Sequence, residues 1–251
     1  MMRLLAILIS LSPVILAAGQ SGSVKKITLR EAVSVAMQNN PSAKTENQKK
    51  ALVAEVEGAY FYRVYQVCRY KTLQEQACLL QDMERVANLR YNAGDIDLLE
   101  KTGMISRIAE IRTEISMMDD DMAITGNKLK LLLYISEEPV PVDSVLIMYA
   151  LQKGEAPAET DSTARFVSDL NRENLEFELN KYFKKIRYFE HTALGHAEIL
   201  IEKNRVRYEN EEIDYIEYTR FTDEGFRIRL EYLQTLNQYN QTAIQLEQYV
   251  N

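Results

Sequence analysis

The chain has 251 residues, 37 acidic against 30 basic side chains for a formal net charge of −7, two cysteines and no tryptophan. Such an acidic balance excludes a nucleic-acid partner bound by phosphate neutralisation, and two cysteines exclude a disulfide scaffold. The length suits one or two ordinary domains.

The first element is a leader. MMR is a short basic start, LLAILISLSPVILAA is an apolar run, and Ala17, Ala18 and Gly19 are small residues of the kind a signal peptidase accepts. Residues 1–19 therefore read as a secretory signal peptide, too short and wrongly flanked for a membrane span. No cysteine follows the cut, which argues against a lipid-anchored N-terminus. No other segment approaches the ~20 apolar residues of a spanning helix. The mature chain is expected to be exported.

A polar spacer leads to ITLREAVSVAMQNNP. Thr28 and Glu31 make a capping box, in which each side chain satisfies an exposed amide at the helix start. Leu29, Ala32, Val33, Val35 and Ala36 form an apolar face, and Asn39-Asn40-Pro41 stops the chain. A short helix over 28–39 follows. From about Lys49 to Tyr91 the composition is helical, with one glycine and no proline. Cys68 and Cys78 lie on this helix about 15 Å apart, beyond disulfide reach.

The next segment, about Ile96 to Tyr134, has the cleanest pattern. Met104, Ile108, Ile111, Ile115, Met118, Met122, Thr125, Leu129 and Leu132 recur at steps of three and four. A sustained heptad seam predicts helices packed as a coiled coil. Residues 135–165, with Pro139, Pro141, Gly154 and Pro157, read as a linker holding one β-like patch, VLIMY at 145–149. Helix resumes near Phe166, with a stripe of Leu175, Leu179, Tyr182, Ile186 and Phe189, and continues to Tyr208. A last helix runs from Ile213 to Val250, carrying Ile228, Leu230, Leu233, Leu236 and Ile244.

The chain repeats itself. RYNAGDIDLLE at 90–100 returns as RYENEEIDYIE at 207–217, and at the same offset IRTE at 111–114 returns as IRLE at 228–231. That is an internal duplication of helix, tight turn, helix. The expected architecture is all-α, with long antiparallel hairpins and little or no β-barrel. Residues 20–134 would form an N-terminal repeat, 135–165 a linker and 166–251 a C-terminal repeat. Gly94 suits the left-handed conformation that ends helices. In the second copy Glu211 stands in its place and Asn210 is the residue suited to turning, which predicts a looser or more nearly helical second turn.

ITLREAVSVAMQNNP, the RY-x-AG-x-I motif with its acidic residue, and the duplicated hairpin together resemble the TolC-type outer-membrane efflux proteins. RYENEEIDYIEYTRF and RLEYLQTLNQYNQTAIQLEQY look most like the heavy-metal efflux branch, the outer-membrane partners of cation-exporting RND pumps. The resemblance implies a homotrimeric tube whose inter-helix turns meet a periplasmic adaptor protein serving an inner-membrane RND pump. Arg90, Tyr91, Gly94, Asp95, Ile96 and Asp97 would form one adaptor-contact tip; Arg207, Tyr208, Glu211, Glu212, Ile213 and Asp214 would form the other. Glu100 and Glu217 would then stand near a constriction, as an acidic mouth or simply as a solvated helix face.

One departure bears on the membrane. The family's first strand pair belongs between the NNP stop and the first long helix, where this chain has only SAKTENQK at 42–49. A membrane strand needs about 9–11 alternating residues, and open strand edges are not tolerated in lipid. The expectation is a chain that keeps the tube and lacks the barrel, as a short paralogue or through internal deletion.

Other motifs carry bland readings. His191 and His196, five apart, point to different sides of a helix, a poor metal pair. SMMDDDM at 116–122 offers thioethers and carboxylates, but Met118 and Met122 belong to the seam and the aspartates read as solvated. AYFYRVYQVCRY at 59–70 reads as interhelical packing rather than a membrane-interface belt. No catalytic constellation appears, so no enzyme, cofactor or resident metal is expected. The functional expectation is a passive channel component of an efflux system; a periplasmic coiled-coil module and a periplasmic metal-binding protein are the alternatives.

Overall fold

The computed structural model describes residues 24–151 and 162–250; the segment expected to be a signal peptide and the Gly154 and Pro157 part of the linker lie outside the described residues. In chain order the elements are β1 (Val24–Ile27), α1 (Leu29–Asn39), α2 (Glu46–Ala93), α3 (Leu98–Leu133), β2 (Glu138–Pro141), α4 (Ser162–Tyr188), α5 (Leu194–Glu198), α6 (Asn204–Glu209) and α7 (Tyr215–Val250). Two π turns, Phe189–Ala193 and Ile199–Lys203, join α4, α5 and α6 into one rod. Long antiparallel helical hairpins dominate, as the heptad pattern requires. Among the described residues the only strands are the two four-residue ones.

Caps decide where the helices begin. The Thr28 hydroxyl accepts from Glu31 N at 3.3 Å while the Glu31 carboxylate accepts from Thr28 N at 2.8 Å. A second capping box, not recognised in the sequence, starts α2: Gln48 N donates to Thr45 Oγ1 at 3.3 Å, and Thr45 N donates to Gln48 Oε1 at 3.0 Å. The helix therefore begins at Glu46, a little before Lys49, and the link from α1 is shorter still. Asn40 Nδ2 closes that link onto the end of α3 through Leu132 O at 3.0 Å.

α2 packs against both α3 and α7, and α4 packs against α7, so the long helices run in the order α3, α2, α7, α4. In the α2–α3 seam Met104, Ile108, Ile111, Met118, Thr125, Leu129 and Leu132 are buried, and Ile115 and Met122 half-buried. The α2 half of the seam runs Leu52, Val56, Ala59, Arg63, Gln66, Leu73, Leu80 and Ala87 on the same spacing frame, all buried. Arg63 interrupts it with a charge, 3.5 Å from Glu138 Oε1. Desolvation lowers its pKa, and a polar seam residue of this kind fixes register at some cost in stability.

The rod facing α7 explains the π turns. Its buried row is Ile186, Phe189, Ala193, Ala197, Leu200, Asn204 and Tyr208. Twice, two successive steps of four overrun the heptad by one residue, and each overrun falls on a π turn, which loops out one extra residue. The row thus stays against α7. Gly225 of α7 makes the close approach there: a Cβ at that position would stand 2.6 Å from Ile201 Cγ1 and 3.0 Å from Ala197 O.

The β-like reading of residues 145–149 is corrected. The strand is β2, paired parallel with β1 inside what read as a polar spacer. Val142 N donates to Ile27 O at 3.0 Å. Residues of that parity face β1, so Pro139 and Pro141 point their donor-less nitrogens away from the ladder. Residues 145–149 instead belong to an extended strap held by side chains. Tyr60 Oη donates to Asp143 at 2.6 Å, and Cys68 Sγ reaches Ser144 O at 3.6 Å. Asn240 Nδ2 donates to Ile147 O at 2.8 Å while its Oδ1 accepts from Tyr149 N at 2.8 Å. A single buried amide stands where a neighbouring strand would be.

The strap ends in a shared proton site. Tyr149 Oη lies 3.0 Å from Glu57 Oε2 and is also hydrogen-bonded to Glu247. Glu46, Lys49 and Lys50 of α2 line the adjoining cavity of about 250 Å³, with Met37 from α1. One hydroxyl proton cannot satisfy two carboxylates, and burial, then the Glu247 charge, push the Glu57 pKa up against the Tyr149 hydrogen bond. A folded-state pKa above the unfolded one gives stability that is complete below the ordinary carboxylate range and lost as pH rises through the raised value. Thermal melts should therefore show a loss over that window in the wild type and a flatter profile in Glu57→Gln.

Candidate docking tips

The repeated motif is a double cap. At the first turn Gly94 has φ 85°; Gly94 N donates to Tyr91 O at 3.1 Å and Asp95 N to Arg90 O at 2.9 Å. Asp97 then opens α3 by accepting from Glu100 N at 2.8 Å. The second turn repeats each bond. Glu211 N donates to Tyr208 O at 3.0 Å, Glu212 N to Arg207 O at 2.8 Å, and Asp214 accepts from Glu217 N at 2.8 Å. Both turns are Schellman closures followed by an aspartate N-cap.

The expectation of a looser or more nearly helical second turn is thus overturned. Asn210 has φ −85°, and Glu211 itself takes the left-handed conformation at φ 61°. The two carbonyls and the following aspartate hold the turn geometry, so the side chain is strained into it. Left-handed backbone costs a residue with a Cβ about 1–2 kcal/mol. Glu211→Gly should accordingly stabilise the chain by about 1 kcal/mol, read from the midpoint of urea unfolding.

Both turns lie at one end. Ile213, Tyr208, Tyr215 and Tyr218 of the second hairpin form a buried cluster with Ala87 and Met104 of the first, and half-buried Ile96 packs against it. Tyr208 stacks on Tyr218 at 5.0 Å. Arg90 crosses between the hairpins, with Nη1 3.4 Å from Tyr208 Oη and its guanidinium 5.8 Å from that ring. The copies differ here: Tyr91 is half-buried under Lys101, whose Nζ is 4.4 Å from its ring. Arg207 turns to Asn204 Oδ1 at 3.1 Å and to Glu212 at 3.7 Å.

The exposed rim is acidic. Asp95, Asp97, Glu211, Glu212 and Asp214 are exposed, and Glu100 and Glu217 half-buried. Burial raises the Glu100 pKa, helped by Asp214 of the other turn and by Asp97, and opposed by Arg90. Among the described residues no three acidic, histidine or cysteine side chains converge on a metal position. His191, His196 and Asp119, Asp120 and Asp121 are exposed, while Met118 is buried in the seam.

Behind the tips a trough of about 720 Å³ runs over α2, between α3 and α7. Arg107 forks onto Asp223 across it, at 2.9 and 3.1 Å, and Gln76 Nε2 donates to the same carboxylate at 2.9 Å. Arg69 pairs with Glu114 on the α3 side. Sequence reasoning missed this tie between hairpins, because its partners are more than a hundred residues apart and carry no local motif.

Fold and site together define a duplicated helical-hairpin protein whose two capped turns form one composite end. Two solved structures share this architecture. A membrane protein from Pseudomonas aeruginosa superposes with a TM-score of 0.70 at 11% identity, over 88% of this chain and 72% of that one. CusC, whose structure was described in terms of conformational changes accompanying folding and transmembrane channel formation, superposes with a TM-score of 0.64 at 13% identity, over 88% of this chain and 97% of that one. At such identities the likeness establishes the fold. No protein-family model matches the sequence, and no curated protein does.

Proposed function

We propose that the protein is the TolC-type channel component of a tripartite efflux system, of the heavy-metal branch, reduced to its periplasmic tube. Residues 1–19 export it, and residues 20–134 and 166–251 supply one hairpin repeat each, joined by 135–165. Three copies form the conduit. Arg90, Tyr91, Gly94, Asp95, Ile96 and Asp97 with Arg207, Tyr208, Glu211, Glu212, Ile213 and Asp214 present the end that meets the periplasmic adaptor, and Glu100 and Glu217 stand just inside it. The tube does no chemistry and passes solutes, including metal cations, driven by an inner-membrane RND-type pump.

The observation that carries this reading is the pairing of the turns. Two segments far apart in sequence keep the same caps and meet over one apolar cluster, which suits a docking end better than two unrelated loops. Among the described residues no helix is long and apolar enough to cross a membrane. The CusC likeness supports the efflux assignment at the level of fold.

A photoreactive residue placed at Asp95 or Glu212 in the exporting cell tests the reading. The expected product is a cross-link to the helical hairpin of a periplasmic adaptor, mapped by mass spectrometry. Adaptor cross-links from Val145 of the strap, with none from either turn, would contradict it.

A further inference from the structure

The strap, residues 143–149, leads from β2 toward α4, and uncharged contacts hold most of it. Cys68 of α2 meets Ser144 O at 3.6 Å, and Asn240 of α7 serves Ile147 O and Tyr149 N, each at 2.8 Å. Leu146 and Tyr149 are buried, and the Tyr149 ring stands edge-on to Phe61 at 5.5 Å. Carboxylates hold only the two ends, and the ends are matched differently. At the start, the Tyr60 hydroxyl donates to one carboxylate, Asp143, at 2.6 Å. At the finish, the Tyr149 hydroxyl stands between two, Glu57 of α2 at 3.0 Å and Glu247 of α7.

A phenol carries one proton. With both carboxylates ionised, one of its two contacts has no hydrogen in it and faces a second negative charge. A proton on either carboxyl removes the conflict: that carboxyl donates to Tyr149 Oη, and Tyr149 donates to the other. Burial holds the Glu57 carboxyl above its usual range, against the Tyr149 hydrogen bond and with help from the Glu247 charge. Burial also pushes the Tyr149 phenol up, so the proton that comes and goes belongs to a carboxyl. The other charges facing the site line the adjoining cavity of about 250 Å³. They are Glu46, Lys49 and Lys50 of α2, while α1 contributes only Met37. Lys49 pairs with Glu46 at 3.6 Å, and Lys50 and Glu247 each have a further interaction.

We infer that Tyr149, Glu57 and Glu247 form a proton-operated latch, which fastens the far end of the strap across α2 and α7 and releases it as the surroundings turn alkaline. Fastened, the latch ties the connection between the hairpins to a long helix of each. Released, Tyr149 leaves Phe61 and Asn240 and the cavity opens to water, while the bonds at Asp143 and Ser144 keep the start of the strap in place. Glu57 binds its proton more tightly in the fastened form than in the released one. Fastening is therefore complete below the ordinary carboxylate range and weakens as pH rises through the raised value. The latch works within one chain and does not depend on the efflux reading.

Hydrogen exchange of the purified mature protein from about pH 4 to about pH 8 tests it, with intrinsic exchange rates divided out. Protection of the Tyr149 amide should fall several-fold as pH rises. The Val142 amide, which donates to Ile27 O at 3.0 Å, should keep its protection. Glu57→Gln and Glu247→Gln each leave one carboxylate for the one hydroxyl, so each should stay fastened and give a flat Tyr149 profile. The two variants are independent, so either decides the matter if the other fails to fold. A wild-type Tyr149 profile that is already flat would overturn the latch. So would folded variants that keep the wild-type decline, or a parallel decline at Val142, which marks general loosening rather than release of one end.

Discussion

Gly225→Ala should destabilise the second hairpin by about 1–3 kcal/mol, although alanine is the better helix former. The new methyl would meet Ile201 Cγ1 at 2.6 Å and Ala197 O at 3.0 Å. Ile201 is itself buried, and the carbonyl belongs to the rod's backbone, so neither can swing aside. Overpacking must separate α7 from the rod beside its π turns. Gly103→Ala and Gly195→Ala are the controls. Each meets open space, and each should hold or raise stability by up to about 1 kcal/mol through helix propensity alone. Urea unfolding of the three variants separates the local clash from a general glycine effect.

Asn240→Ala should have a comparable or larger effect, about 2–6 kcal/mol. Its amide is fully buried and serves Ile147 O and Tyr149 N together. Truncation strands a backbone donor and a backbone acceptor, each worth about 1–3 kcal/mol when buried and unpaired. Hydrogen exchange at Tyr149 is the direct readout, and its amide should lose protection well before the α2–α3 seam does. Uniform loss across both hairpins would instead mean that the strap is part of the global core.

The contrast between these two sites shows what the sequence exposes. The α3 seam could be read residue by residue, because a heptad is a local pattern and Met104 through Leu132 obey it without a break. The Thr28 cap and the Gly94 turn were legible for the same reason: each rests on residues a few positions apart. Glu211 was misread because the left-handed position is normally marked by glycine or asparagine, whereas here the Arg207 and Tyr208 carbonyls and the Asp214 cap impose it on a glutamate. The strap read as a β-like patch, and its burial, with Leu146 and Tyr149 inside and Val145 and Ile147 outside, does not keep a strand's alternation through Tyr149. Its partner was not legible, because a side-chain amide on α7 takes the place of a strand. The β1–β2 pair was hidden by prolines that look strand-breaking until their parity is known.

At the tips, the sequence located both turns but could not show that Ile96, Tyr208 and Ile213 meet over one cluster. Nor could it place Glu100 beside Asp214 of the other turn. Those contacts join hairpins more than a hundred residues apart, and only packing of α2 against α7 brings them together.

The proposed function requires a closed ring of helical hairpins with all its turns at one end. Light scattering on the purified mature protein tests that most directly. The expected result is a discrete species with three times the mass of one chain, at concentrations where assembly is saturated. A single-chain mass that persists as concentration rises would contradict it.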